Sequence, residues 1–128
     1  MTARLLVATL LLAVLGFALP AGAGSKVLGS GTFVGASNHV TKGGVTILET
    51  ASGKLVVLEP NFSLDGAPDP KLGFGKDGYD SSTTFAPLAS NSGLQVYQIP
   101  ASIDPAKYNE FYIWCEKFSV PLGIAKLK

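Results

Sequence analysis

This 128-residue chain contains one cysteine, Cys115, and one histidine, His39. Both side chains can take part in catalysis, redox reactions or cofactor binding. A cysteine thiol can serve as a nucleophile, a redox group or a cofactor ligand, and a histidine as a base or a second ligand. All-cysteine zinc sites, cysteine-held iron–sulfur clusters and internal disulfides need at least two cysteines, and a blue-copper centre needs two histidines. We therefore predict no metal site. Cys115 is the candidate redox thiol or cofactor ligand, and His39 is its candidate partner.

The surroundings of Cys115 are predicted from Phe111–Val120, the strongest strand pattern in the chain. Alternate residues of a strand face the same side. One face would carry Phe111, Ile113, Cys115 and Lys117, and the other Tyr112, Trp114, Glu116 and Phe118. Both faces are apolar as far as Cys115, so we predict a central strand covered on both sides, with the thiol at the rim of the core near Lys117. A neighbouring ammonium favours a reactive thiolate, whereas burial favours an inert core thiol, and both interpretations stay open.

His39 lies between the first predicted strand and the double glycine Gly43-Gly44. The ordinary interpretation is a loop histidine whose ring is satisfied by the turn backbone. The alternative is a partner for Cys115, acting as a base or as a second cofactor ligand. Nothing in the sequence places the two side chains close together, so their pairing is a hypothesis.

The elements that would position these residues are short strands, because apolar and polar residues alternate in runs bounded by Gly, Pro, Asn and Asp. The predicted strands are Gly31–Val34, Val45–Glu49, Lys54–Glu59, Asn61–Leu64, Leu72–Phe74, Thr84–Leu88, Leu94–Ile99, Phe111–Val120 and Leu122–Leu127. Thr50–Gly53 is a predicted hairpin loop, Lys76–Thr84 a polar loop, and Ile103–Tyr108 a helical turn with Asp104 as its N-cap. These patterns predict an all-β fold, an antiparallel β-sandwich or barrel of about eight short strands.

The first 23 residues stand apart from this pattern. Arg4 precedes an uncharged run, Leu5–Leu19, which ends at Pro20 and is followed by Ala21-Gly22-Ala23. A basic start, a short apolar run and a small-residue site are typical of a cleaved secretory signal peptide, and a membrane-spanning helix would need about 20 apolar residues. We expect a signal peptide at residues 1–23, a β domain at residues 24–128, and a periplasmic or secreted location. The mature chain is expected to have no transmembrane segment.

The charge of the expected mature chain is balanced. One of the ten basic residues is Arg4, which leaves nine lysines against nine acidic residues, and the lysines are scattered along the chain. Binding to nucleic acid or to anionic lipid requires clustered basic residues. We therefore predict no nucleic-acid partner.

Several fragments, in this order, resemble the DM13 domain. They are Gly31-Thr32-Phe33 with His39 and Gly44, then Gly66-Ala67-Pro68-Asp69, then Gly93–Pro100, and finally Tyr112–Val120 with Gly123-Ile124-Ala125. The resemblance implies a compact β domain whose characteristic cysteine is Cys115. It also implies a secreted or cell-surface setting, in animals beside DOMON and cytochrome b561-type domains. The role proposed for that family is electron transfer or oxidative modification, with the cysteine acting as a bare thiol or as a ligand for a group such as haem.

Two functions follow as hypotheses. The first is an exported redox or electron-transfer module centred on Cys115, which exchanges electrons with a partner protein and holds either haem, with His39 as second ligand, or no cofactor. The second is a non-catalytic extracytoplasmic binding module in which Cys115 is a core residue and Tyr79, Tyr97 or the Gly66–Tyr79 loops form the binding surface. With one cysteine and one histidine as the only support for a hydrolase, we expect the chain not to be an enzyme by itself.

Overall fold

The computed structural model describes residues 24–128, and the predicted signal peptide lies outside the described residues. Within that range the chain forms ten strands and two short turns of 3-10 helix, Ser81–Thr83 and Pro105–Lys107. The strands are β1 (Lys26–Gly35), β2 (Thr41–Lys42), β3 (Gly44–Thr50), β4 (Gly53–Leu58), β5 (Ser63–Leu64), β6 (Pro70–Gly75), β7 (Ala86–Pro87), β8 (Gln95–Gln98), β9 (Glu110–Cys115) and β10 (Val120–Lys126). No helix in this range is long and apolar enough to cross a membrane.

Eight of the strands form one antiparallel sheet that is nearly closed into a barrel, which confirms the predicted fold class. Their order is β7-β6-β9-β10-β1-β3-β4-β8, and β2 pairs separately with β5. The edge strands β7 and β8 are linked by the Tyr97 hydroxyl of β8, which accepts a hydrogen bond from the Ala89 N–H at 2.9 Å. β9, which carries Cys115, lies between β6 and β10 and is therefore central in the sheet, as predicted.

The core fills the inside of this sheet with apolar side chains from the inward faces of the strands and from Phe62. Its fully buried members include Val45, Ile47, Val56, Leu58, Phe62, Leu72, Phe74, Phe111, Ile113 and Leu122. Phe111 packs edge-on against Phe74, with ring centroids 5.1 Å apart. Burying one such side chain stabilises the fold by about 1.5–3 kcal/mol, so the aromatic centre around β6 and β9 contributes strongly to the rigidity of that part of the sheet.

Two local predictions are confirmed. Thr50 and Gly53 pair at the end of the β3–β4 hairpin, and Gly53 takes a positive φ of 130° that other residues rarely adopt. Asp104 caps the 3-10 turn at Pro105–Lys107, because its Oδ1 accepts a hydrogen bond from the Ala106 N–H at 3.1 Å. In both places a short sequence signal acts through its own backbone and needs no distant partner.

The prediction of one long strand over Phe111–Val120 is wrong in its second half. β9 ends at Cys115, the chain turns through the four residues that follow, and Val120 pairs back with Cys115 at the start of β10. Ser119 closes this turn with a left-handed φ of 53°. Because the turn contains no glycine, proline, asparagine or aspartate, its sequence resembles a continuing strand.

The shorter strand changes the expected neighbours of the thiol. Lys117 lies in the exposed turn, with its Nζ 5.6 Å from the centre of the Phe118 ring, so it does not share a strand face with Cys115. Pro121, which separates the predicted strands Phe111–Val120 and Leu122–Leu127, lies inside β10 at a register shift, where the regular ladder is interrupted. A residue without an N–H is tolerated at such an irregularity.

Other boundaries also differ from the predictions. β1 begins at Lys26 instead of Gly31, and the predicted strand Thr84–Leu88 is reduced to Ala86–Pro87, because proline cannot donate a ladder hydrogen bond. The predicted polar loop Lys76–Thr84 contains Ser81–Thr83 as a 3-10 turn and places Tyr79 over the outer face of β6 and β9. β9 is thus covered on both faces, as expected for a central strand.

Candidate functional site

Cys115 is the last residue of β9 and lies between Pro70 of β6 and Val120 of β10. Its side chain belongs to the buried core and is 1% exposed. The Sγ–H donates a hydrogen bond to the backbone carbonyl of Pro68 at 3.1 Å. The thiol is therefore closed off from solvent, and the Pro68 carbonyl is its hydrogen-bond partner.

His39 lies in the loop after β1, directly after Ser37 and Asn38, which both have positive φ angles. Its Nδ1 donates to Oδ1 of Asp65 at 2.9 Å, and the other carboxylate oxygen of Asp65 accepts from the Val40 N–H at 3.0 Å. These hydrogen bonds lower the pKa of the Asp65 carboxyl below its usual value of 3.8, and the bond from the Val40 N–H has the larger effect. His39 is therefore a loop histidine with a side-chain partner that sequence reasoning missed.

Residues 65–70, which we call the cover segment, connect the two predicted site residues. No hydrogen bond joins Cys115 to His39 within the described structure; His39 holds Asp65, the first residue of the segment, and Cys115 donates to Pro68, three residues later. Between and beyond these points Gly66 and Asp69 adopt positive φ angles of 109° and 55°. The segment is thus fastened at Asp65 by His39 together with two hydrogen bonds to the Val40 backbone, and near the sulfur by the Asp69 carbonyl, which accepts from the Glu116 N–H at 3.2 Å.

A second group of side chains in close contact lies on the outer face of β9. We call Tyr79, Tyr112 and Trp114 the aromatic cluster. The Tyr79 ring is stacked on the Trp114 ring, with centroids 4.1 Å apart, and is edge-on to the Tyr112 ring, with centroids 5.0 Å apart. Gly73 and Gly75 of β6 make room for these rings. A Cβ on Gly73 would lie 2.7 Å from Cε1 of Tyr79, and one on Gly75 would lie 2.7 Å from Cε1 of Tyr112.

Glu110 extends this cluster with a buried carboxylate. It is 8% exposed, and its Oε1 accepts hydrogen bonds from the Tyr112 hydroxyl and the Gly78 N–H, both at 2.9 Å. Burial, together with the hydrogen bond to Glu110, raises the pKa of Tyr112 to about 12. Sequence reasoning placed Tyr112 and Trp114 on one face but missed Glu110, which stands one residue before the predicted strand.

A family model described as electron transfer DM13 matches residues 32–127. The chain belongs to the DM13 family. The match includes Cys115, His39, the cover segment and the aromatic cluster, and the description of the family supports a redox role. Comparison with curated proteins and with solved structures gives no match.

The residues of this DM13 domain do not form a cradle for haem at Cys115. The sulfur is buried against the Pro68 carbonyl, and the His39 ring lies in an exposed loop where it is hydrogen-bonded to Asp65 and not to the sulfur. Neither Cys115 nor His39 lines the clefts found on the described surface around Lys26, Lys54 and Ile99. Across residues 24–128, no group of three or more His, Cys, Asp or Glu side chains is placed to hold a metal ion.

One cleft of this DM13 domain, of about 510 Å³, lies at the end of the barrel away from the cysteine. Ile47, Tyr108 and Leu127 form part of its apolar lining, and Lys54 stands at its edge. Leu127 is hydrogen-bonded to the residue that precedes β9, whereas Cys115 ends that strand. Six residue steps along a strand span roughly 20 Å, so the cleft and the thiol are separate features.

Proposed function

We propose that this DM13 domain is an exported electron-transfer module in which the Cys115 thiol is the redox group and His39 controls access to it. The observation that carries the proposal is the hydrogen bond from the Cys115 sulfur to the carbonyl of Pro68, in the segment that His39 fastens through Asp65. The family description supports electron transfer, and the expected signal peptide supports export. With this arrangement the redox group is covered at rest and becomes available when the cover segment opens.

The reaction that a single exposed thiol can perform with a partner protein is thiol–disulfide exchange. The Cys115 S–H gives up its proton, and the sulfur forms a bond to one sulfur of a partner disulfide while the second partner sulfur leaves as a thiol. A thiol of a further partner then attacks the mixed disulfide and regenerates the Cys115 thiol. That attack leaves the two partners joined by a disulfide, which a second thiol of the further partner then breaks. Overall the first partner's disulfide is reduced by two electrons and two protons, the further partner's two thiols are oxidised to a disulfide, and the domain returns to its starting state.

The cover segment predicts how fast this thiol reacts. In native protein we expect Cys115 to react slowly with a chromogenic aromatic disulfide, because reaction requires the Pro68 carbonyl to move. His39→Ala and Asp65→Asn should each increase the rate, since each weakens the side-chain attachment of Asp65 and leaves the hydrogen bond from the Asp65 N–H to the Val40 carbonyl as the remaining tie at that end. Asp104→Asn is the matched control, because asparagine also caps a helical turn and the site lies outside the segment.

Two results would contradict the proposal. If His39→Ala and Asp65→Asn leave the labelling rate at that of the control, His39 does not control access to the sulfur. If the native protein forms no mixed disulfide with oxidised glutathione, or if Cys115→Ser shows the same redox behaviour as the native protein, Cys115 is not the redox group. Mass spectrometry of the intact chain resolves the adduct in each variant.

The burial of the thiol favours a second candidate function, a binding module in which Cys115 is only a core residue. The residue is 1% exposed and belongs to the apolar core. In that case Cys115→Ala should lower stability by about 1–3 kcal/mol, through the lost packing and the unpaired Pro68 carbonyl, and should change neither partner binding nor redox behaviour. The binding surface would then be formed by Tyr79, Tyr97 and the loops between Gly66 and Tyr79.

A further inference from the structure

The aromatic cluster and Glu110 form a continuous path from the surface to a buried phenol. Tyr79 and Trp114 are each half-buried, so their stacked rings reach the solvent. Tyr112 is 3% exposed and meets both rings edge-on, at centroid distances of 5.0 Å and 6.5 Å. Indole and phenol rings are the side chains most easily oxidised by one electron after the thiol, and here three of them are in contact.

The Tyr112 phenol also has a proton acceptor in place. Loss of one electron makes a phenol strongly acidic, so a tyrosine can act as an electron relay only where a base takes the proton and holds it for return. Oε1 of Glu110 accepts from the Tyr112 hydroxyl at 2.9 Å and from the Gly78 N–H, which fixes the carboxylate in this position. A buried carboxylate is costly to desolvate, and a purely structural outer face could be packed with apolar side chains alone.

We propose that Tyr112 is a one-electron relay, with Glu110 as its proton acceptor and the Tyr79–Trp114 stack as its contact with an oxidant. An external one-electron oxidant, such as a high-potential metal complex or the metal centre of a partner protein, removes an electron from the stack. An electron from Tyr112 refills the stack as the phenol O–H bond breaks, and the proton moves to the Glu110 carboxylate. The products are a neutral tyrosyl radical and a protonated Glu110. A returning electron and the same proton restore the phenol.

The inference rests on the electron-transfer part of the proposed function but does not use the thiol. Cys115 follows Trp114 in β9, yet its side chain points into the core, on the opposite face of the strand. The relay therefore predicts one-electron chemistry in Cys115→Ala, whereas thiol exchange does not survive that substitution. Failure of one idea is thus distinguishable from failure of the other.

The test is flash oxidation of the full folded domain by photogenerated ruthenium(III) tris-bipyridine, followed by transient absorption and electron paramagnetic resonance. The native protein should first show the indole radical of Trp114, its one tryptophan, and then a tyrosyl radical, with the second step slower in D₂O. Tyr112→Phe should abolish the second step. Glu110→Gln, whose amide oxygen accepts the hydrogen bond but takes no proton, should slow it roughly a hundredfold.

Tyr97→Phe is the matched control, because Tyr97 is a half-buried tyrosine on β8, away from the cluster. The control and Cys115→Ala should both keep the native radical yield. The inference is overturned if Tyr112→Phe retains the tyrosyl radical, if Glu110→Gln and D₂O leave its rate unchanged, or if Cys115→Ala removes it. The D₂O measurement uses native protein, so it decides the role of the proton even if a variant does not fold.

Discussion

Replacing Gly73 by alanine gives the sharpest test of the outer face of β9. A methyl group on Gly73 would lie 2.7 Å from Cε1 and 2.9 Å from Cζ of Tyr79, closer than non-bonded carbon atoms approach. Tyr79 cannot simply turn aside, because its ring is stacked on Trp114 at 4.1 Å and its hydroxyl is hydrogen-bonded to Thr84. The substitution therefore forces the ring out of the stack or pushes the strand away from it.

The expected cost follows from two effects. Forcing an extra methyl group into a packed site costs about 1–3 kcal/mol, and loss of a stacked aromatic pair costs about 0.5–1.5 kcal/mol. Against these, replacing a strand glycine by alanine where space exists stabilises by about 0.5–1 kcal/mol. We expect Gly73→Ala to lower the free energy of unfolding by roughly 1–3 kcal/mol in total, or the midpoint of thermal unfolding by roughly 4–8 °C for each kcal/mol.

Urea unfolding followed by the fluorescence of Trp114 measures this cost and reports on the stack itself, because the chain has a single tryptophan. Gly29→Ala is the control, since a Cβ there meets its neighbours at an ordinary 3.6 Å, and it should leave stability unchanged or raise it. In a Tyr79→Ala background the cost of Gly73→Ala should disappear. An equal cost in both backgrounds would show that the Tyr79 ring is not what the methyl group meets.

Two further predictions concern titration. The hydrogen bonds from the Val40 N–H and from His39 lower the pKa of Asp65. The stability that the Asp65 carboxylate contributes is therefore present above the unfolded pKa near 3.8 and is lost as the pH falls through the lower folded value. Asp65→Asn should remove this acid-side dependence, as measured by urea midpoints over a series of pH values. The pKa of Tyr112 is raised above 10.0 to about 12. The contribution of its protonated phenol to the free energy of unfolding is therefore complete below pH 10 and is lost as the pH rises through 12. Spectrophotometric titration should show that Tyr112 ionises at high pH, and at a lower pH in Glu110→Gln than in the native protein.

The sequence predicts features that depend on neighbouring residues and misses those that depend on distant ones. The Asp104 cap and the β3–β4 hairpin arise from local backbone chemistry, and both are confirmed. The partner of His39 is Asp65, 26 residues away in another loop, and no periodic pattern connects two loops. The turn after Cys115 was missed because Phe118 continues the apolar alternation, although its side chain is exposed.

The outer face of β6 and β9 illustrates the same limit. The alternation of Leu72 and Phe74 correctly indicates an inward face for β6. Gly73 lies between these two residues and Gly75 follows them, and glycines weaken a strand pattern in the sequence. Their role becomes clear only when Tyr79 and Tyr112 are placed on the space that the glycines leave, and that placement requires the loop before Ser81–Thr83 to fold back over the sheet.

The near closure of the sheet bears on aggregation and on how a partner can dock. A free strand edge recruits further strands, which leads to sheet extension between molecules. Here β7 has only two residues and one of them is Pro87, and the neighbouring Ala89 N–H is already bonded to the Tyr97 hydroxyl of the opposite edge strand. An incoming chain therefore finds little backbone to pair with on the β7 side. Resistance to edge-to-edge association is expected there, and a partner that approaches this side should bind to side chains and loops instead of adding a strand.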